Sequence, residues 1–523
     1  MNRNALIDRL FHDDQPWDIL VIGGGATGMG IAVDAASRGY RVALVEQSDF
    51  GKSTSARSTK LVHGGVRYLQ QGNISLVMEA LRERGLLRAN APHLVHDLAF
   101  VVPNYDWWEA PFYGIGMKVY DLLAGRYGFG KSRILSRSEI IERLPTLDTS
   151  GLRGGVLYYD GQFDDARLLI NLAQTAVELG AVIANYVRAE NLTFDANGFV
   201  DGASVIDLET SRQARLRAKV VINATGAFSD SVRRMDDPAA QPMIAPSQGV
   251  HIVLDGAFLG RNTAIMVPRT SDGRVMFAIP WHGYSLIGTT DTPIDKVLLE
   301  PVPLAEEVDF ILETAGRYLA KPPSRSDVLS MWAGIRPLVR AGDGSSTAAL
   351  SRDHTIHISK SGLLTIAGGK WTTYRKMAED CVDHAAMLGR LDERPCTTRS
   401  LHIHGYQEQV DRQDELHYYG SDAAEIEAMI RENPSLGETI DPIQRLRGAQ
   451  VVWAVRREMA RTVDDVLARR TRWLQLDARS AAAAAPRVAA IMAQELGRDQ
   501  AWVQEQVRAF VNLAGQYQTT ALA

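Results

Sequence analysis

The chain of 523 residues contains only two cysteines, Cys381 and Cys396. Two thiols so few and so widely spaced exclude an iron–sulfur cluster, a Cys-rich zinc site and a disulfide scaffold, and such sparing use suits a reducing cytoplasm. A basic excess is also missing: 57 Lys and Arg stand against 62 Asp and Glu, for a net charge of −5. A protein that wraps nucleic acid needs the opposite balance, so no nucleic acid partner is expected, and an anionic ligand must be caught by a local cluster of cations. No uncharged apolar run reaches the roughly 18 residues of a membrane span. The opening segment MNRNALIDRLFHDDQPW carries acidic residues where a secretory signal would have its apolar core. What remains is ordinary globular material, 46% hydrophobic and 23% charged, with 44 Gly and 20 Pro. Its length suggests about three to four domains.

The first informative segment runs from Asp18 to Glu46. The apolar run Ile19–Ile22 meets a glycine turn, a helical stretch follows, and a second apolar run spans Val42–Val45, which together read as a βαβ unit. Ile74 to Ala91 reads as an amphipathic helix with Leu76, Met78, Leu81 and Leu86 among charged residues, and the segment after Asp164 as a helix ending at Gly180. Strands are expected within Ala181–Asp207, with turns at Ala196–Gly198 and Asp201–Gly202, and within Ala218–Gly226. Runs at His251–Leu254, Arg274–Ile279 and Ser285–Gly288 suggest a mostly antiparallel sheet inserted into the α/β layer. Leu363–Gly369 returns to an apolar strand. Beyond about 395 the segments Asp422–Glu432, Ala449–Arg461 and Val463–Leu474 look helical and suggest a separate helical domain, with the run Ala481–Ala485 as helix or helix end.

Gly23, Gly25 and Gly28 form G-x-G-x-x-G between strand and helix, and Glu46 ends the next strand 18 residues later. Glycines allow a tight turn and close backbone approach, the helix N-terminus offers its positive end to a pyrophosphate, and the carboxylate accepts from ribose hydroxyls. This is a dinucleotide fingerprint that does not by itself choose between NAD and FAD; with no second copy present, it argues for one tightly held dinucleotide. The next segment, GKSTSARSTKLVHGGVRYL, combines the hydroxyls of Ser53, Thr54, Ser55, Ser58 and Thr59 with Arg57, Lys60, Arg67, His63 and the pair Gly64–Gly65. Such a loop can bring amides and hydroxyls to an isoalloxazine or a phosphate, or it can be a solvated basic loop.

Several segments resemble the FAD-dependent, respiratory glycerol-3-phosphate dehydrogenases: SARSTKLVHGGVRYL; the ATG of Ala224, Thr225 and Gly226; Gly288–Pro293; Gly334–Leu338; and the run Gly368–Arg375, GGKWTTYR. EMARTVDDVLARR, from Glu458 to Arg470, is similar to that family's C-terminal domain, so the resemblance spans roughly residues 15 to 510. One segment departs from some members: Gln248-Gly249-Val250-His251 stands where they have K-G-S-H, so that lysine and serine have no counterpart here.

The resemblance implies an α/β FAD-binding domain of the two-dinucleotide Rossmann type, with an inserted, mostly antiparallel substrate domain and an all-α C-terminal domain. The FAD parts fall at about 15–100, 150–235 and 345–390, the substrate parts at 100–150 and 236–345, and the helical domain at 396–523. It implies FAD as cofactor, contacted by Gly23, Gly25, Gly28, Glu46, Ser53, Thr54, Ser55, Ser58, Thr59, Lys60, Gly64, Gly65, Ala224, Thr225, Gly226, Gly368, Gly369 and Thr372. It also implies oxidation of sn-glycerol 3-phosphate to dihydroxyacetone phosphate, a hydride passing from C2 to flavin N5 while a base takes the hydroxyl proton. His63 is the first choice for that base, since an imidazole's usual pKa of about 6.5 suits it to accept a proton at cellular pH. Tyr68 stands beside it as a hydrogen-bonding partner.

Arg67 and Arg336 are the candidates for phosphate and substrate oxygens, although an arginine before proline can equally be a plain strand-end residue. Lys370 could steady reduced flavin without touching substrate. His251, His354 and the pair His402 and His404 read as structural, the HxH spacing putting both on one face of a strand with no carboxylate or cysteine cluster to complete a site, so no metal is expected. With no internal electron wire, ubiquinone or menaquinone is the expected acceptor. Oxygen, as in a glycerophosphate oxidase, and a catalytically inactive flavin-binding module are the alternatives. Tyr105 to Phe129 packs Trp107, Trp108, Phe112, Tyr113, Tyr120, Tyr127 and Phe129 among Lys118 and Arg126, a composition suited to the headgroup layer of a membrane or to a helix buried in the fold. The first reading places the protein in the cytoplasm, on the inner face of the cytoplasmic membrane as a monotopic protein; a homodimer is left open.

Overall fold

The computed structural model describes all residues except 66–72, 107–108, 261, 269, 272, 341–353, 442–444 and 523, and the side chains of 109–112 are likewise left aside. Two sheets organise the molecule. The first has eight strands, ordered His354–Ile358, Leu364–Gly368, Gln213–Asn223, Trp17–Ile22, Val42–Val45 and Val182–Ala184, with the hairpin Val187–Phe194/Val200–Asp207 continuing from Gln213–Asn223. Its central strands are parallel. They are buried on both faces, which is why Ile19–Ile22 and Val42–Val45 read as unbroken apolar runs. The helix Ala26–Ser37 makes the crossover between them and packs between the helices Asp165–Glu178 and Tyr374–Leu388.

The second sheet has ten strands and is antiparallel apart from the pairing of Thr263–Val267 with Val95–Asn104. Its long members are Val95–Asn104, Gly154–Phe163, Ile244–Asp255 and Ser330–Val339. The expected domain limits shift here. Val95–Asn104 pairs with Gly154–Phe163 along its whole length, and Leu61–Val62 joins the same edge, so stretches assigned to the FAD parts belong to the inserted sheet.

Other expectations change for local reasons. Asp201–Gly202 is not a turn but part of a strand; a Cβ on Gly202 would lie 2.0 Å from the Leu216 carbonyl oxygen, so glycine is what lets the two strands pair. The helix Ile74–Asn90 buries Val77, Ala80, Leu81, Arg84 and Leu87, while Met78 is half exposed. The helix forms as expected, and its buried face also takes in Arg84 and Glu83 through ion pairs with Asp160 and Arg375. His402 and His404 lie outside any strand: His402 stacks on Tyr406 at 3.6 Å, and His404 bridges Glu178 and Asp422.

The C-terminal part is helical, with Ala423–Glu432, Gly448–Glu458, the π-turn Asp465–Arg470, Ala478–Leu496 and Gln500–Gln516; Ala481–Ala485 lies within the fourth of these. This domain packs directly on the second sheet. Its Val451, Val466, Ala485 and Phe510 share one apolar core with Phe100, Tyr158 and Trp332 of the second sheet.

Candidate active site

Between the sheets lies a cavity of about 520 Å³, within the range of cofactor sites. Gly23 and Gly25 form its floor. Gly23 has φ +114°, and a Cβ there would come within 2.6 Å of the Ala224 carbonyl oxygen; a Cβ on Gly28 would lie 1.9 Å from the Gly23 carbonyl oxygen. The three glycines thus differ in role. Gly25 caps the helix and Gly23 lets the turn meet Ala224–Gly226, whereas Gly28 lies behind the wall and lets helix and turn touch. Glu46 lines the far end, where its carboxylate accepts from the Gly24 N–H (2.7 Å) and the Ser48 N–H (2.8 Å). Burial raises its pKa, against the pull of those two amides.

The loop after Gly51 crosses the cavity and is stitched at both sides. The Ser55 hydroxyl accepts from the Ala26 N–H (2.9 Å), Thr54 Oγ1 donates to the Ile335 carbonyl (2.6 Å), and Trp371 Nε1 donates to the Ser55 carbonyl (2.8 Å). Ser53, Ser58, Thr59, Ala224, Thr225, Gly226, Gly368, Gly369, Lys370 and Thr372 also line the wall. Gly368 and Gly369 are both left-handed, at φ +77° and +75°, a conformation open to glycine that brings main chain to the surface.

Besides Gly28, two further expected contacts lie off this wall. Lys60 is fully buried behind the wall, its ammonium donating to Asp165 (2.8 Å), the Ala56 carbonyl (2.8 Å) and Gln475 (3.0 Å). Its backbone at φ +61° turns the side chain away from the cavity. Gly64 is also outside the wall, its N–H donating to the Tyr120 hydroxyl at 2.9 Å. Arg67 and Tyr68 lie outside the described residues.

A smaller cavity of about 200 Å³ adjoins the first, and the two share Thr59, Leu61, His63, Phe277 and Arg336. Gly65 belongs to the smaller one, with Asp160, Arg274 and Asp291. Arg336 sits within the strand Ser330–Val339, opposite Ser247. Its guanidinium donates to the Thr290 carbonyl (2.9 Å), Asp291 (3.2 Å), the Gln248 carbonyl (3.3 Å) and Thr289 Oγ1 (3.3 Å). Ser247 in turn donates to Asp291.

Reading the residues alone left His251 structural, yet it lines the larger cavity. It is stacked on Trp332 with ring centroids 5.4 Å apart, and Nε2 lies 2.9 Å from Thr59 Oγ1. Burial, with Lys60 and Arg336 nearby, pushes its pKa well below the usual imidazole value, so the ring is neutral. Asp291 and Thr289 were visible only as part of a motif; their place around Arg336 depends on strand register. Among the described residues, no group of three or more His, Cys, Asp or Glu could hold a metal ion.

Residues 18–375 match the family described as FAD dependent oxidoreductase, and residues 363–503 match the C-terminal domain of alpha-glycerophosphate oxidase. The probable mitochondrial glycerol-3-phosphate dehydrogenase of Caenorhabditis elegans is 43% identical over 95% of this chain and 74% of its own length. The mitochondrial enzyme of Homo sapiens is 42% identical over 94% and 72%. The chain belongs to the FAD-dependent glycerol-3-phosphate dehydrogenase family. The fold agrees: the crystal structure of the glycerol-3-phosphate dehydrogenase from Bacillus halodurans complexed with FAD superposes with a TM-score of 0.80 at 30% identity, covering 98% of this chain and 97% of that one.

FAD is the cofactor of this dehydrogenase family, and the large cavity fits it. The glycine turn at a helix N-terminus suits a pyrophosphate, the carboxylate of Glu46 suits a ribose, and the main chain at Gly368–Gly369 suits a flat ring. The small cavity opens beside the large one at His63 and Arg336.

Proposed function

We propose that this dehydrogenase oxidises sn-glycerol 3-phosphate to dihydroxyacetone phosphate and passes the electrons to a membrane quinone. The observation that carries this reading is the junction of the two cavities, where one imidazole and one guanidinium border both. FAD, when bound, supplies the acceptor for the hydride leaving C2. Arg336 binds the phosphate or a substrate oxygen, its fork held by the carbonyls of Gln248 and Thr290. His63 takes the proton of the C2 hydroxyl, and Lys370, on the large cavity's wall, places a positive charge beside the cofactor. Arg67 and Tyr68 complete the substrate site in this reading. The site is tested by adding sn-glycerol 3-phosphate anaerobically to the holoprotein: the flavin absorbance bleaches, whereas an unbleached flavin defeats the reading.

The helix Glu109–Ala124 supports a membrane-surface placement. It buries Tyr113, Met117, Tyr120 and Ala124 and turns Ile115, Val119 and Leu122 outward with Lys118. No helix among the described residues is long and apolar enough to cross a membrane. An exposed apolar face with a cation suits an anionic lipid surface, on the inner side of the cytoplasmic membrane, where ubiquinone or menaquinone is at hand. A second reading, oxygen as acceptor, draws on the match to the glycerophosphate oxidase C-terminal domain; peroxide release in place of quinone reduction would favour it.

A further inference from the structure

The hydroxyl of Tyr120 receives the Gly64 N–H at 2.9 Å, and Gly64 follows His63 directly. The same hydroxyl donates to Asp160 Oδ2 at 2.9 Å, while Asp160 Oδ1 accepts from Arg84 at 2.6 Å. All three side chains are buried. An ionised carboxylate only accepts hydrogen bonds, so the ion pair with Arg84 turns the phenolic hydrogen toward Asp160 and leaves the oxygen's lone pairs for the Gly64 amide at 2.9 Å and, more weakly, Arg84 Nη1 at 3.4 Å. The contact is also tight sterically. A Cβ on Gly64 would meet the Tyr120 oxygen at 2.4 Å and Leu81 at 2.5 Å. On the far side Asp160 borders the small cavity. The loop that presents His63 is therefore held from behind by a polar relay that begins on a surface helix, Glu109–Ala124.

The geometry points to Tyr120 as a positioning residue for the oxidation: its hydroxyl fixes the His63–Gly65 main chain and so sets where the imidazole meets substrate. This rests on the reading of His63 as proton acceptor. Removing the hydroxyl keeps the ring and its packing against Val77 and Leu81 but leaves a buried amide and one carboxylate oxygen without that partner, which loosens the loop. A group acting only through His63 has nothing left to act on once the imidazole is gone, so its effect must vanish in that background.

The experiment is a double-mutant cycle on the FAD-loaded full chain, with wild type, Tyr120→Phe, His63→Ala and the double variant compared by anaerobic single-turnover bleaching with sn-glycerol 3-phosphate. Tyr120→Phe is expected to slow bleaching about tenfold, with the substrate concentration for half-maximal rate changed less than about twofold. In the His63→Ala background the same substitution is expected to change the rate by less than about twofold. Amide exchange in the 61–65 segment rises in Tyr120→Phe, while flavin spectrum and melting temperature confirm a folded holoprotein. Bleaching at the wild-type rate in Tyr120→Phe, or an equal slowing in both backgrounds, overturns the proposal alone. His63→Ala bleaching at the wild-type rate overturns the base assignment, and with it any action of Tyr120 through that imidazole.

Discussion

Arg336 reaches the cavity from within a strand, its guanidinium divided among two carbonyls, a hydroxyl and the carboxylate of Asp291. Asp291 would repel a phosphate dianion if that guanidinium were absent, so truncation both removes a donor and exposes a like charge. Arg336→Ala is therefore expected to raise the KM for sn-glycerol 3-phosphate by about 10² to 10³, with FAD retained because the Glu46 end of the cavity is untouched. Steady-state kinetics with the flavin content measured alongside checks this, and a wild-type KM removes Arg336 from the site. Residue chemistry suggested Arg336 but misled at its neighbours. Lys60 and Ser58 sit two positions apart in one polar loop, yet a left-handed residue sends the ammonium inward to Asp165, and composition carries no sign of that turn. His251 posed the opposite problem: an imidazole in an apolar strand looks structural until the pairing of Ile244–Asp255 with Ser330–Val339 stacks it on Trp332 at the cavity wall.

Elements were read most surely where a periodic pattern met a turn residue, as in the strand, glycine turn and helix from Trp17 to Ser37. The same pattern marks the helix Ile74–Asn90, but not that its buried face takes in Arg84 through the pair with Asp160, since such tertiary pairing leaves no local trace. His404 belongs to the same class. Its HxH spacing suggested a strand, but the residue joins the end of helix Asp165–Glu178 to the segment before Ala423–Glu432, with Nδ1 donating to Glu178 and Nε2 to Asp422. Burial opposes the charge, but the two carboxylates outweigh it and raise the imidazolium pKa from 6.5 to about 9. A folded pKa above the unfolded value stabilises fully below about pH 6.5, and that contribution is lost as pH rises through about 9. His404→Gln is thus expected to cost about 2 kcal/mol at pH 6.5 and much less at pH 10. Urea unfolding of both proteins at the two pH values tests this; a constant difference would mean the imidazole carries no charge in the fold.

At the scale of the whole molecule, the layered α/β arrangement and the helical C-terminal part were legible, because parallel strands and glycine turns leave local patterns. The joining of the parts was not. Asp49 pairs with Arg469 and Arg470, Arg167 with Glu458, and Lys52 with Asp464. These contacts across hundreds of residues, buried except for the partly exposed Lys52–Asp464 pair, lock the C-terminal helices onto the cofactor loop and the helix Asp165–Glu178, and no local pattern encodes them. The outer surface carries the complementary question of what the molecule rests on. Ile115 is 69% exposed, Leu122 81% and Ile134 61%, and Ile134 approaches the same helix at Gly114. Burying two such side chains in the headgroup layer contributes about 2 to 4 kcal/mol, so losing them weakens binding at least about tenfold. The double variant Ile115→Asp, Leu122→Asp is therefore expected to co-sediment at least about tenfold less with phosphatidylglycerol vesicles than wild type, with an unchanged flavin spectrum as the check on folding. Wild-type binding is expected to fall in high salt and on uncharged vesicles, since Lys118 adds attraction to anionic headgroups. Equal sedimentation of variant and wild type would move the membrane contact away from this helix, and no sedimentation of either would remove the lipid surface from the proposed function.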